Sequence, residues 1–201
     1  MIAADGYAAL YPSCLYKTIP MATKATIFKA DLQIVDMDRN YYHDHALTLA
    51  RHPSETDERM MMRLLAFARH ASEALTFTRG LSNSDEPDLW QKDLTGSIEN
   101  WIELGQPDEK RIRKACGRSQ QVTIYCYSGN SASIWWQQNS PALSKLHNLA
   151  VINIAAGISK TLAQLAQRNM QLQASVQDGV TWMANSELSV EVTPEVWQQI
   201  R

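Results

Sequence analysis

At 201 residues, with 45% hydrophobic and 20% charged side chains and a formal net charge of -2, the chain reads as a single globular domain with no global attraction to nucleic acid or to an anionic membrane. Three cysteines, Cys14, Cys116 and Cys126, form no C-x-x-C pair and leave one over, which argues against a disulfide framework or a thiolate zinc site and points to a reducing, cytoplasmic setting. No stretch approaches the ~18–20 apolar residues of a membrane span, and the first twenty residues lack the charged and apolar regions of a leader.

Met1 to Pro20 show neither helical nor alternating pattern and run into a second methionine at Met21. They read as a flexible extension, or as the product of an upstream start, followed by one domain over residues 21–201. Partial alternation over Ala25 to Val35, a break at Asp36-Met37-Asp38-Arg39-Asn40 and a second strand from Tyr41 to Ala50 predict a hairpin. Pro53-Ser54 then opens a helix with Ser54 as N-cap and acids in the first turn, where the helix dipole favours them. Met61, Leu65 and Ala68 fall on one stripe of that helix, and Glu58 lies three residues before Met61 on the same stripe.

Leu75 to Arg79 reads as a short strand and Gly80 to Glu86 as a loop. Two acid-bearing segments follow, Glu86-Pro87-Asp88-Leu89-Trp90 and Trp101-Ile102-Glu103-Leu104-Gly105. The strand period places Glu103 and Trp101 on one face, and Asp88 and Trp90 are likewise two apart, so each acid emerges beside an indole. Pro107, Asp108 and Glu109 suit a helix start and Gly117 a stop. The helix between carries Lys110, Arg111, Arg113 and Lys114, with Arg118 beyond, around an apolar stripe of Ile112, Ala115 and Cys116. Further strands are expected at Gln121–Ser128, Leu149–Ile154, Met170–Val176, Val180–Met183 and Leu188–Val192, with a short helix or turn at Ser140–Lys145 and a helix at Ile158–Gln167.

Two carboxylates converging from adjacent strands are what a divalent metal site for phosphodiester chemistry requires, because hard cations take oxygen ligands. The order of helix with Glu58, strand, strand with Asp88, strand with Glu103, basic helix and strand is the layout of the PD-(D/E)XK nuclease core. The predicted fold is therefore α/β, a mixed central sheet flanked by helices, restriction-endonuclease-like. Glycine at 105 stands where that motif carries its lysine. His43-Asp44-His45 puts two imidazoles on one side of a strand but brings no third ligand, which favours a surface or packing role. Trp135-Trp136 and Met60-Met61-Met62 read as packing residues.

Over nearly all of residues 21–201 the sequence also resembles the YaeQ family of bacterial proteins. The resemblance is carried by Leu47 to Leu65, Thr78-Arg79-Gly80-Leu81, Asp85-Glu86-Pro87, Trp101 to Cys116, Ile134 to Asn139 and Gln177-Asp178-Gly179-Val180. It implies a variant of the restriction-endonuclease fold in which Glu58, Asp88 and Glu103 form the acidic cluster, with Mg2+ (or Mn2+) as the metal. Gln106 and Lys110 are the candidates to replace the missing lysine. Two readings follow. One is a Mg2+-dependent nuclease or phosphodiesterase-type enzyme, with Lys110, Arg111, Arg113 and Lys114 contacting phosphates. The other is a non-catalytic module binding nucleic acid or a protein partner on the same fold.

Overall fold

The computed structural model describes residues 25–78 and 85–201, so the expectation for residues 1–20 lies outside the described residues. Strands β1 (Thr26–Asp36) and β2 (Tyr41–Arg51) form the expected hairpin, in unbroken antiparallel register from Thr26 opposite Arg51 to Asp36 opposite Tyr41. The turn closes on Asn40 at φ 55°, a left-handed conformation that asparagine tolerates, while Asp36 accepts the Arg39 backbone N–H at 2.9 Å. Helix α1 (Asp57–His70) follows. Its N-cap is Thr56, whose hydroxyl accepts the Arg59 N–H at 3.1 Å, whereas the expected cap Ser54 is bonded to the His52 imidazole at 2.6 Å.

Strands β3 (Leu75–Phe77), β4 (Leu89–Lys92) and β5 (Ile98–Leu104) make an antiparallel meander. Helix α2 (Glu109–Cys116) then crosses over to β6 (Ser119–Cys126), parallel to β5. Helix α3 (Asn130–Leu143) leads in the same way to the parallel strand β7 (Leu149–Asn153). After α4 (Ala156–Ala163) the chain returns to the first hairpin. Strand β8 (Asn169–Gln177) pairs parallel with β1, and β9 (Val180–Ala184) and β10 (Ser189–Val192) extend that sheet before β11 (Glu195–Gln198) closes on β7.

The predicted single central sheet is thus replaced by two mixed sheets, of order β10-β9-β8-β1-β2 and β11-β7-β6-β5-β4-β3. The physical reason is the β1–β8 pairing, which joins Lys29 to Asn169 and leaves no trace in local periodicity. Between the sheets lies a helical layer of α1 and α4. Its core joins Phe28, Leu32 and Leu172 of the first sheet to Ile102, Leu104 and Tyr125 of the second, with Met60, Met61 and Met62 between them. On the outer face of the six-stranded sheet, α2 and α3 cover a second core that includes Trp101, Ile112, Val122, Ile124 and Leu143. Trp135 and Trp136 pack against that second core. The Trp135 indole donates to the Pro107 carbonyl at 3.1 Å and Trp136 stacks on Trp197 with centroids 5.8 Å apart.

Helix α1 ends on Arg39, whose guanidinium donates to the Ala71 carbonyl at 3.0 Å and to Asp36 at 2.6 Å, satisfying an end that has no further turn. His70, in the last turn, meets the Tyr125 hydroxyl at 2.9 Å. Burial, with Arg69 and Arg39 nearby, pushes its pKa down to about 3. The unfolded imidazole takes its proton first, so the stability this site contributes is complete above the ordinary histidine range and is lost as the pH falls toward the depressed value. Urea unfolding of wild type and His70→Gln at about pH 7 and about pH 4 should show the variant losing less stability between the two.

Candidate functional site

The motif acids sit where β4 and β5 begin and end. Asp88 immediately precedes β4, and its backbone N–H donates to the Ile102 carbonyl at 3.0 Å. Its side chain continues the ladder by other means: Oδ2 accepts the Leu104 N–H at 2.8 Å. Oδ1 takes a 2.6 Å bond from Nη2 of Arg59, reaching down from the first turn of α1. Asp88 is 2% exposed, so the carboxylate is withdrawn from water and spends its charge on that guanidinium. Burial opposes the charge on Arg59, but Asp88 and a hydrogen bond with Tyr127 outweigh it and raise the guanidinium pKa. The same burial pushes the Tyr127 phenol up, against the pull of Arg59.

Glu103 points to the other side of the sheet, toward α2. Its Oε1 accepts from Nε of Arg111 at 2.7 Å and its Oε2 from the Trp101 indole at 2.9 Å, so the indole expected beside the acid is its hydrogen-bond donor. Desolvation raises the Glu103 pKa, an effect that the Arg111 and Trp101 donors reduce and the neighbouring Asp88 reinforces. Arg111 also donates to the Glu86 carbonyl at 2.8 Å, which fixes the segment leading into Asp88. Asp88 and Glu103 are therefore neighbours across one strand pair, but each faces its own arginine. Glu58 lies in the α1–α4 layer, where its Oε1 accepts a 2.5 Å bond from Ser159, a fully buried hydroxyl of α4.

The remaining predicted site residues occupy the rim. Gln106 bonds Ser131 at the start of α3, at 3.1 Å. Lys110 is exposed and makes no ion pair among the described residues. The other cations of α2 are engaged within the protein, Arg111 with Glu103, Arg113 with Glu109 at 2.6 Å and Lys114 with Asp85 at 2.6 Å. Arg118, just beyond, lies over the Trp101 ring at 5.6 Å. Gly105 has φ +97° and donates its N–H to the Tyr125 carbonyl at 2.9 Å. A Cβ there would meet nothing within 4 Å, so space is available, but lysine rarely adopts the backbone conformation.

The donor set does not fit a resident Mg2+. Among the described residues no three His, Cys, Asp or Glu side chains gather as a metal's ligands. Asp88, Glu103 and Glu58 each spend oxygens on Arg59, Arg111 and Ser159, which a metal would have to displace. Arg59, next to Glu58 and one turn from Met62, is the site residue that the sequence does not signal; Arg111, expected as a phosphate contact, is instead the partner of Glu103.

Residues 21–194 match the family model described as YaeQ protein. The chain belongs to the YaeQ family. It is 48% identical over 179 residues to the YaeQ proteins of Salmonella typhi and Escherichia coli K12, covering 89% of this chain and 99% of each relative. The crystal structure of YaeQ from Xanthomonas axonopodis pv. citri matches with a TM-score of 0.85 at 50% identity, over 87% of this chain and 98% of that one. YaeQ from Pseudomonas syringae matches with 0.83 at 33% identity, over 87% and 97%. The YaeQ match begins at Met21. No helix among the described residues is long and apolar enough to cross a membrane.

Two outcomes test this geometry. Asp88→Asn leaves the Arg59 guanidinium largely buried without its counter-charge and should cost about 3–5 kcal/mol in chemical unfolding, with part recovered when Arg59 is also changed to Met. Gly105→Lys should cost about 1–2 kcal/mol through its left-handed backbone, so it is a strained mimic of the usual nuclease site.

Proposed function

We propose that this member of the YaeQ family is a non-catalytic module on a restriction-endonuclease-like core, with a nuclease-type acid pair neutralised by arginines, that binds nucleic acid through phosphate contacts. The observation that carries this reading is the engagement of both motif carboxylates by guanidinium groups, Asp88 by Arg59 and Glu103 by Arg111. The run α1, β3, β4, β5, α2, β6, antiparallel through the meander and parallel after the crossover, supports the core assignment. Phosphate contacts fall to the solvent face of α2, Lys110 first, with Arg113 and Lys114 exchanging their exposed partners Glu109 and Asp85 for phosphate oxygens while Arg111 stays on Glu103. A chain of net charge -2 adds no global attraction, so such binding is weak, and it falls with salt in proportion to the phosphates contacted.

A second reading, a Mg2+- or Mn2+-dependent nuclease using Glu58, Asp88 and Glu103 with Gln106 or Lys110 in place of the lysine, is favoured by the side-by-side placement of Asp88 and Glu103 on hydrogen-bonded strands. One set of measurements separates the two. The binding reading expects retention of single-stranded or duplex DNA or RNA at low salt, a smaller salt slope in a Lys110→Ala/Lys114→Ala variant, and no cleavage with Mg2+ or Mn2+. Metal-dependent cleavage abolished by Glu103→Gln would establish the nuclease instead. No association with any nucleic acid at low salt would sink the proposal and assign the surface to a protein partner.

A further inference from the structure

The inward face of β2 departs from its own pattern at one end. The β1 residues Phe28, Ala30, Leu32 and Ile34 are buried, and opposite them stand Leu49, Leu47, His45 and His43, with Tyr41 continuing the row opposite Asp36. Leu47 and Leu49 obey the period-two rule for a buried face. The next three positions replace leucine-like residues with donors, and they do so on the terminal strand of the sheet, where the face meets solvent. A local pattern broken by three polar-tipped rings in a row marks a place where side-chain chemistry matters.

The two imidazoles are close, with ring centroids 4.8 Å apart. The Nδ1 of His43 lies 2.8 Å from the Asp44 carbonyl, which can only accept, so Nδ1 carries the proton and the Nε2 lone pair of this exposed ring is free. Such a backbone partner is what orients a metal-binding histidine. His45 packs edge-on against Phe67, with centroids 5.1 Å apart, which holds its ring in place. Its Nε2 meets the Tyr41 hydroxyl at 2.9 Å.

We propose that His43 and His45 form a two-imidazole chelate for a borderline divalent transition metal, Zn2+, Ni2+ or Cu2+, on the open edge of the five-stranded sheet. Imidazole nitrogen selects these ions over Mg2+ and Ca2+, which prefer oxygen. The metal takes the Nε2 lone pair of each ring and the Tyr41 hydroxyl turns away from His45 to water. With two protein ligands, water fills the other positions, so the site is exchangeable, unlike a closed structural centre. It is separate from the arginine-filled acid pair and stands whether or not the nucleic-acid reading does.

The test is calorimetric titration of the full chain with Ni2+ and Zn2+, with Mg2+ as the control. Saturable binding of one equivalent is expected for the two transition metals and not for Mg2+. His43→Gln changes an exposed side chain, so the fold is kept. Binding should weaken by about ten-fold or more, the cost already seen when a ligand loses only its orienting hydrogen bond. Tyr41→Phe removes the hydroxyl that competes for His45 and should bind at least as tightly as wild type. Sub-stoichiometric Cu2+ should broaden the His43 and His45 ring proton resonances before those of His52, His70 and His147. Absence of saturable binding, or binding unchanged in His43→Gln, would overturn the proposal.

Discussion

Helix α1 has no solvent face along its middle, and the rest of the architecture follows from that constraint. Every residue from Met60 to Ala68 is buried, so neither sheet alone can cover the helix and both are required. The all-round burial includes Arg63, which is possible only because Glu55 accepts its guanidinium at 3.2 Å and the Phe77 ring lies beneath it. The two ends of α1 are where polar chemistry concentrates. The N-terminal turn delivers Glu58 to Ser159 and Arg59 to Asp88, and the C-terminal turn is closed by Arg39. A buried helix thus doubles as the strut that carries cations to the edge of the six-stranded sheet.

The legible and illegible parts of the fold divide along physical lines. The first hairpin, α1, β5, α2, β6 and the final meander could be read because each carries a local period or a turn signal. Helix α3 could not: its sequence, Asn130 to Leu143, buries only Ala132 and Leu143 and leaves Ile134 exposed, so the apolar residues trace no stripe, and Pro141 sits inside its last turn. Only its C-terminal end was anticipated. Strand β11 is four residues long and pairs irregularly with β7, too short to show alternation. The division into two sheets rests on strand partners far apart in sequence, which no window of residues contains.

The acid pair shows the same division at the level of chemistry. Asp88 and Glu103 were found from their spacing, and the structure sets them beside one another. Their pairings with Arg59 and Arg111 were not legible, because an arginine next to a first-turn glutamate has the appearance of an ordinary helix residue and the cations of a basic helix that of a face turned to solvent or phosphate. Each guanidinium sets a positive charge against a buried carboxylate, which a metal ion would do in a hydrolase. The difference is one of geometry: a guanidinium is a planar donor that satisfies oxygens along fixed directions, whereas a divalent cation leaves coordination positions for water.

The parallel pairing of β1 with β8 also has a bearing on synthesis. The six-stranded sheet apart from β11, with α2 and α3 on its outer face, is complete once the chain has been made as far as β7, but β1 acquires its second neighbour only when Asn169 to Val176 exist. Until then β1 presents an unpaired edge and one flank of α1 has no cover from β8, β9 or β10. A ribosome-bound chain therefore holds a nearly finished half with a wet apolar face for most of its length. The burden of keeping that face from other chains falls on the interval before the last thirty or so residues emerge, as expected for a fold whose longest-range contact closes its core.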